Sequence, residues 1–145
     1  MFLGQYAHAI DSKGRLTVPV RYRTALEQGA YLVQGFERNL LVYTTESYER
    51  LSQRAAALTT TEPEARAVRR LIFGRATEAA LDAVGRILIP DWMREYAALG
   101  SEAVIVGAGG YFEIWSTEEW DKELVGVTDP ESNARRFAEY DLSAG

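Results

Sequence analysis

The sequence contains no cysteine and only one histidine, His8. Without cysteine the chain can form no disulfide bond, no thiolate metal site and no thiol nucleophile. A single histidine leaves the serines without a plausible base partner, and no pair of carboxylates recurs in an arrangement suited to acid–base catalysis. We therefore predict a protein that is not an enzyme and has no metal, cofactor or small-molecule substrate.

Long apolar runs are also absent. No stretch approaches the roughly 20 apolar residues needed to cross a bilayer, and the N-terminus lacks the basic start and apolar run of a signal peptide. The 145 residues are 47% hydrophobic and 26% charged, a composition typical of a folded globular protein. Because the lack of cysteine also fits a reducing compartment, we expect a cytoplasmic protein without a membrane partner.

The chain has no overall excess of positive charge, since its net charge is -5. Taken alone, this balance argues against a nucleic-acid partner, because proteins that bind nucleic acid are usually basic. The charges are unevenly distributed, however. Near the N-terminus Asp11 stands among four cations, whereas acids concentrate between Glu113 and Asp141. A local basic surface on an acidic protein therefore remains possible.

One short segment occurs twice. "DSKGRLTVP" begins at Asp11 and "DAVGRILIP" begins at Asp82, 71 positions later (82 − 11). Further along, "GFERNLLVYTTESYE" from Gly35 aligns with "GAGGYFEIWSTEEWD" from Gly107 at an offset of 72 (107 − 35). Agreement over two separate stretches indicates a tandem duplication with one inserted residue.

Each copy has the same predicted order: strand, turn, strand, helix, strand, strand, helix. The turn is the Asp-x-x-Gly segment, and "GAGG" from Gly107 predicts a second kind of turn, a β-hairpin, rather than a phosphate loop. Between the copies, Thr61 and Glu64 have the spacing of a capping box, with Pro63 just inside the helix. Ser116 and Glu119 form a second box, and Asp129 followed by proline begins a last helix. We predict an α+β fold divided into a first domain (1–52), a helical connector (53–80), a second domain (81–124) and a polar C-terminal helix and tail (125–145).

Three segments carry a family resemblance: "FLGQYAHAIDSKGRLTVPVRYR", "LDAVGRILIPDWMREYAALG" and "VGAGGYFEIWSTEEW". Together they resemble the MraZ family, which is built from two tandem SpoVT-AbrB domains, and the match extends to about Trp120. The resemblance implies a tandem duplicated swapped-hairpin β-barrel with short flanking helices. It also implies a homo-oligomeric ring, an octamer or larger, that binds short direct repeats in double-stranded promoter DNA. Family members control, usually as repressors, a bacterial gene cluster for cell division and cell-wall synthesis, which implies a nucleoid-associated location.

The motif residues transfer to this sequence position by position. They are Asp11, Lys13, Gly14 and Arg15 in the first copy and Asp82, Gly85 and Arg86 in the second, where Val84 stands opposite Lys13. A glycine turn can approach DNA closely, with lysine on a phosphate and arginine forking to phosphate or to guanine O6 and N7. The two aspartates are expected to structure the turns.

Several alternatives stay open at this point. Arg86 either contacts DNA or forms a structural pair with Asp82, and Arg21 and Arg23 either extend the phosphate footprint or are solvated. Two rival functions remain: an antitoxin-like regulator of the same fold, and a structural ring that uses its apolar surfaces without touching DNA.

Overall fold

The computed structural model describes residues 1–144, so Gly145, the end of the predicted tail, lies outside the described residues. This part of the chain forms eight strands and six α-helices. The strands are β1 (Gln5–Ala9), β2 (Arg15–Thr17), β3 (Ala30–Gln34), β4 (Leu40–Thr44), β5 (Ala76–Ala79), β6 (Arg86–Leu88), β7 (Glu102–Gly107) and β8 (Tyr111–Trp115). The helices are α1 (Val20–Arg23), α2 (Thr45–Ala56), α3 (Pro63–Arg69), α4 (Asp91–Tyr96), α5 (Thr117–Thr128) and α6 (Pro130–Arg136).

The order of elements follows the predicted plan in both copies, and the α+β fold class is confirmed. A 3₁₀ turn, Thr24–Leu26, extends α1, and a π-helical turn, Arg70–Gly74, follows α3. The segment 53–80 contains the end of α2, α3, this π-helical turn and β5. Strand β5 occupies the position equivalent to β1, 71 residues earlier (76 − 5).

The two copies exchange strands. The six-stranded antiparallel sheet has the order β1-β7-β8-β4-β3-β5, so the first strand of each copy pairs with the third strand of the other. A separate two-stranded antiparallel sheet joins β2 to β6, with Leu16 opposite Ile87. The repeated turn joins two strands in each copy as predicted, but the two strands are not neighbours in one sheet; in the first copy a single bridge, between Ile10 and Leu16, links them next to the turn. Beyond it, each enters a different sheet because its hydrogen-bonding partner belongs to the other copy.

The main core lies between the six-stranded sheet and the β2–β6 sheet with α1 and α4. Successive side chains of a strand point to opposite faces, and in this large sheet both faces are covered. On β3, for example, Leu32 packs in the main core and Val33 packs on the opposite face beneath α2. Trp115 and Trp120 form a third cluster where α5 covers β7. Because the central strands are buried on both faces, they are nearly continuous apolar runs in the sequence.

The predicted helix starts are confirmed at two positions and wrong at one. Ser116 accepts a hydrogen bond from the backbone N–H of Glu119, and Asp129 caps α6 by accepting one from Ser132. The predicted box between Thr61 and Glu64 does not form, because α3 begins at Pro63 and Glu62 is its N-cap, without a side-chain cap bond. Since proline takes the first helical position, the capping residue is the one directly before it, and Thr61 lies one place too early. The predicted turn at Gly107–Gly110 is confirmed as the β7–β8 hairpin.

Candidate nucleic-acid interface

The first copy of the repeated turn, residues 11–14, is called the first tip. One carboxylate oxygen of Asp11, Oδ1, accepts hydrogen bonds from the backbone N–H groups of Lys13 (3.0 Å) and Arg15 (2.9 Å). The other oxygen, Oδ2, accepts from Nε of Arg15 at 2.7 Å. Gly14 has a φ of +84°, in the left-handed region that favours glycine. Asp11 therefore fixes both the backbone of the turn and the direction of the arginine that follows it.

The second tip, residues 82–85, repeats this geometry. Oδ1 of Asp82 accepts from the backbone N–H groups of Val84 (3.0 Å) and Arg86 (2.9 Å), and Oδ2 accepts from Nε of Arg86 at 2.9 Å. Gly85 has a φ of +83°. The copies differ in one respect: Nη1 of Arg86 also lies 3.4 Å from Oδ2 of Asp11. Arg86 is therefore held by both tips, whereas Arg15 is held by one.

The hydrogen bonds keep both aspartates ionised. The backbone N–H of Arg15, followed by its side chain and the N–H of Lys13, outweighs desolvation and lowers the pKa of Asp11 to about 2. The corresponding donation from the backbone of Arg86 lowers the pKa of Asp82. Near neutral pH each tip thus consists of a carboxylate that orients a guanidinium.

The β2–β6 sheet joins the two tips into one surface. Ile89 donates its N–H to the carbonyl of Gly14 (2.9 Å), and Val18 donates to that of Gly85 (3.0 Å). Val18 is four positions after Gly14, so the tips lie about 13 Å apart at the usual rise of a strand. Leu16 and Ile87 point into the core and are fully buried. Their neighbours therefore form the opposite side, called here the outer face: Arg15, Thr17, Arg86 and Leu88.

A further arginine from the other copy covers each tip glycine. The guanidinium of Arg23 lies where a Cβ on Gly85 would be, and its Nε donates to the carbonyl of Val18 at 3.0 Å. Arg94 lies in the same way against Gly14 and is paired with Asp91. Nε of Arg94 is buried and has no hydrogen-bond partner among residues 1–144. The sequence prediction named Arg23 but missed Arg94, although the 71-residue offset maps one onto the other.

The other predicted residues lie around the same surface. Lys13 is exposed at the first tip, while Arg15 and Arg86 are half-buried on the outer face. Arg21 is exposed on α1, where it lines a shallow depression with Tyr6 and His8. The second copy has Trp92 at the position of Arg21, and Arg75 stacks on this ring at 4.0 Å from its centre.

Cations outnumber acids around the tips. Five basic side chains stand on or beside this surface, Lys13, Arg15, Arg23, Arg86 and Arg94, against the tip aspartates Asp11 and Asp82 and the exposed Asp91. Such a surface can hold a polyanion despite the negative net charge, because the field at a surface follows the local charges. Within residues 1–144, no group of three or more His, Asp or Glu side chains is arranged to hold a metal ion. No helix in that range is long and apolar enough to span a membrane.

Comparison with known proteins decides the family. A family model described as "MraZ protein", whose description also mentions an antitoxin-like character, matches residues 1–71 and 72–135. The chain belongs to the MraZ family. Each of the two matched units contains one copy of the tip, so the family model finds the same duplication in this chain as the sequence comparison does.

Named relatives resemble the chain over nearly its whole length. "Transcriptional regulator MraZ" of Thermomicrobium roseum is 44% identical over 140 residues, covering 95% of this chain and 98% of the relative. The protein of the same name from Herpetosiphon aurantiacus is 43% identical, covering 89% of this chain and 90% of the relative. That from Heliobacterium modesticaldum is 42% identical, covering 98% and 100%. These relatives are named as transcriptional regulators, which are not enzymes, in agreement with the prediction made above.

Proposed function

We propose that this chain is a sequence-specific DNA-binding transcriptional regulator whose two tips enter the major groove together. The observation that carries the proposal is the outer face, on which an antiparallel two-stranded ribbon presents two oriented arginines. The major groove of B-DNA is about 12 Å wide and admits a two-stranded ribbon. The tip separation of about 13 Å, obtained from the strand rise, is of the same size.

The hydrogen bonds of Arg15 suit base recognition. Asp11 engages Nε, and the two Nη atoms of Arg15 make no hydrogen bond within residues 1–144. A guanidinium anchored in this way presents the fork that matches guanine O6 and N7 or a phosphate. Arg86 has one Nη atom turned towards Asp11, so it offers one fewer free group. We therefore assign the main base contact to Arg15 and a weaker, partly structural role to Arg86.

The remaining cations supply the backbone contacts. Lys13 and Arg21 are exposed and free to approach phosphates. Arg23 and Arg94 lie over the tip glycines, where a guanidinium can contact a phosphate and stiffen the turn at once. Each tip is then a composite site, since its turn comes from one copy and its covering arginine from the other.

Assembly completes the proposal. We propose that the exchanged strands form the swapped-hairpin barrel of SpoVT-AbrB domains and that several chains form a ring in the cytoplasm. The domain divisions given above then hold except that β5 belongs to the second domain. Linked tips act at a high effective concentration, so a ring that meets several promoter repeats binds far more tightly than one chain. Repression of the division and cell-wall gene cluster follows where the ring occupies a promoter.

The test is a titration with the DNA upstream of the gene for this protein, beside a shuffled fragment, at two salt concentrations. We expect tight, salt-sensitive binding to the native fragment. Arg15→Ala should lose about 1–3 kcal/mol per tip, and Arg86→Ala should lose less. Lys13→Ala should weaken binding to both fragments alike and lower the salt slope by about one.

Arg50→Ala is the matched control, since it removes an exposed cation that is paired with Glu46 on α2. Light scattering on every variant checks that the assembly is intact. If neither fragment binds, or if Arg15→Ala binds as well as the wild type, the tips contribute to folding and assembly and not to DNA binding. The chain would then be a structural ring that does not read DNA.

A further inference from the structure

The second copy contributes two apolar side chains to the tip surface. Val84 at the second tip is 62% exposed, and Leu88 on the outer face is 56% exposed. At the equivalent positions, 71 residues earlier, the first copy has Lys13 and Thr17. Both copies therefore place an arginine on this surface, but only the second adds exposed aliphatic side chains to it.

Neither side chain contributes to the core. On β6 the buried residue is Ile87, and Leu88 points the opposite way, paired across the sheet with Arg15. Directly paired residues have Cβ atoms about 5 Å apart, so Leu88 stands beside the arginine assigned above to base recognition. Val84 takes part in its turn only through its backbone N–H, which donates to Asp82. The fold therefore does not account for an aliphatic side chain at either position.

We propose that Val84 and Leu88 contact the 5-methyl groups of thymine in the major groove. This inference rests on the proposed function, because the flanking cations bring the surface against DNA. Among the base edges in the major groove, the thymine methyl is the apolar group that an aliphatic side chain can match. The two copies then differ in what they recognise, since both supply guanidinium groups, the first adds Lys13 and the second adds contacts selective for thymine.

The experiment compares the native promoter fragment with the same fragment in which every thymine is replaced by uracil. This change removes the methyl groups and keeps base pairing. We expect the wild type to bind the thymine fragment more tightly, by about fourfold for each methyl group buried. The double variant Val84→Ser with Leu88→Ser removes both aliphatic side chains and leaves no methyl group in their place, so its ratio of affinities should fall towards one. Comparing the two ratios cancels any effect of uracil on the shape of the DNA.

Val125→Ser is the control, because it makes the same substitution at an exposed valine on α5 and should keep the wild-type ratio. A wild type that binds neither fragment would overturn the proposed function and this inference together. A wild type that binds both fragments equally would overturn the inference alone. A double variant that keeps the wild-type ratio would also overturn the inference, whether or not light scattering shows a change in the mass of its assembly.

Discussion

Replacing either tip glycine by alanine tests whether the tips need their left-handed backbone. Gly14 and Gly85 are buried and have φ angles of +84° and +83°. A side chain in this conformation costs about 1–2 kcal/mol, because Cβ crowds the following carbonyl. We expect Gly14→Ala to lower the free energy of unfolding by about this amount.

Gly85→Ala should cost more than Gly14→Ala. At both positions the new Cβ meets a guanidinium, the far end of a flexible side chain that can move aside. At Gly85 this movement also breaks the hydrogen bond from Nε of Arg23 to Val18, worth about 1 kcal/mol. At Gly14 the displaced Nε of Arg94 has no partner to lose within residues 1–144, and the pair of Arg94 with Asp91 contributes little because Asp91 is exposed. The expected losses are therefore about 1–2 kcal/mol for Gly14→Ala and about 2–3 kcal/mol for Gly85→Ala.

Thermal and urea unfolding at one fixed protein concentration measure these losses, since the stability of an assembly depends on concentration. In a chain of this length, 1 kcal/mol corresponds to about 3–4 °C in Tm. Gly126→Ala is the control: this glycine lies in α5 with nothing near its Cβ position, so alanine should stabilise by about 0.5–1 kcal/mol. If both tip variants are as stable as the wild type, the backbone of the tips does not need glycine. If the two variants lose the same free energy of unfolding, the hydrogen bond of Arg23 does not contribute as proposed.

Two other predictions concern local interactions. Because the folded-state pKa of Asp11 is lowered from 3.8 to about 2, its contribution to stability is complete above about pH 4 and is lost as pH falls towards 2. Asp11→Asn should therefore be less stable than the wild type at pH 6, and urea unfolding should show the difference shrinking between pH 4 and pH 2. A difference that stays constant over this range would contradict the hydrogen-bonded carboxylate at Asp11. Ser116→Ala removes the cap of α5 and should cost about 1 kcal/mol, whereas Ser101→Ala, at an exposed position outside the helices, should leave Tm unchanged.

Local chemistry made the tips predictable. The aspartate accepts a hydrogen bond from the backbone two residues ahead, and the glycine permits a left-handed turn. Both lie within one segment of five residues, so the local sequence is enough to predict the turn. The alternating apolar residues likewise indicated the strands. The partner of β2 was not predictable, because a three-residue strand carries little information on register and its partner β6 lies 71 residues further along. Arg94 was missed for the same reason, since its contact with Gly14 exists only after the copies have exchanged strands.

The strand exchange explains why the turn is built twice in one chain. Each tip depends on the other copy for its covering arginine and for the strand beside it, so one copy alone lacks both. Two separate identical chains could supply these contacts, but such a dimer would present identical tips and would favour a palindromic site. Covalent duplication allows the copies to diverge, as they have at Lys13 and Val84, Thr17 and Leu88, and Arg21 and Trp92. Under the proposed function, two different tips make the DNA-binding surface asymmetric along the major groove. An asymmetric surface suits direct repeats, because all of them have the same orientation in the promoter.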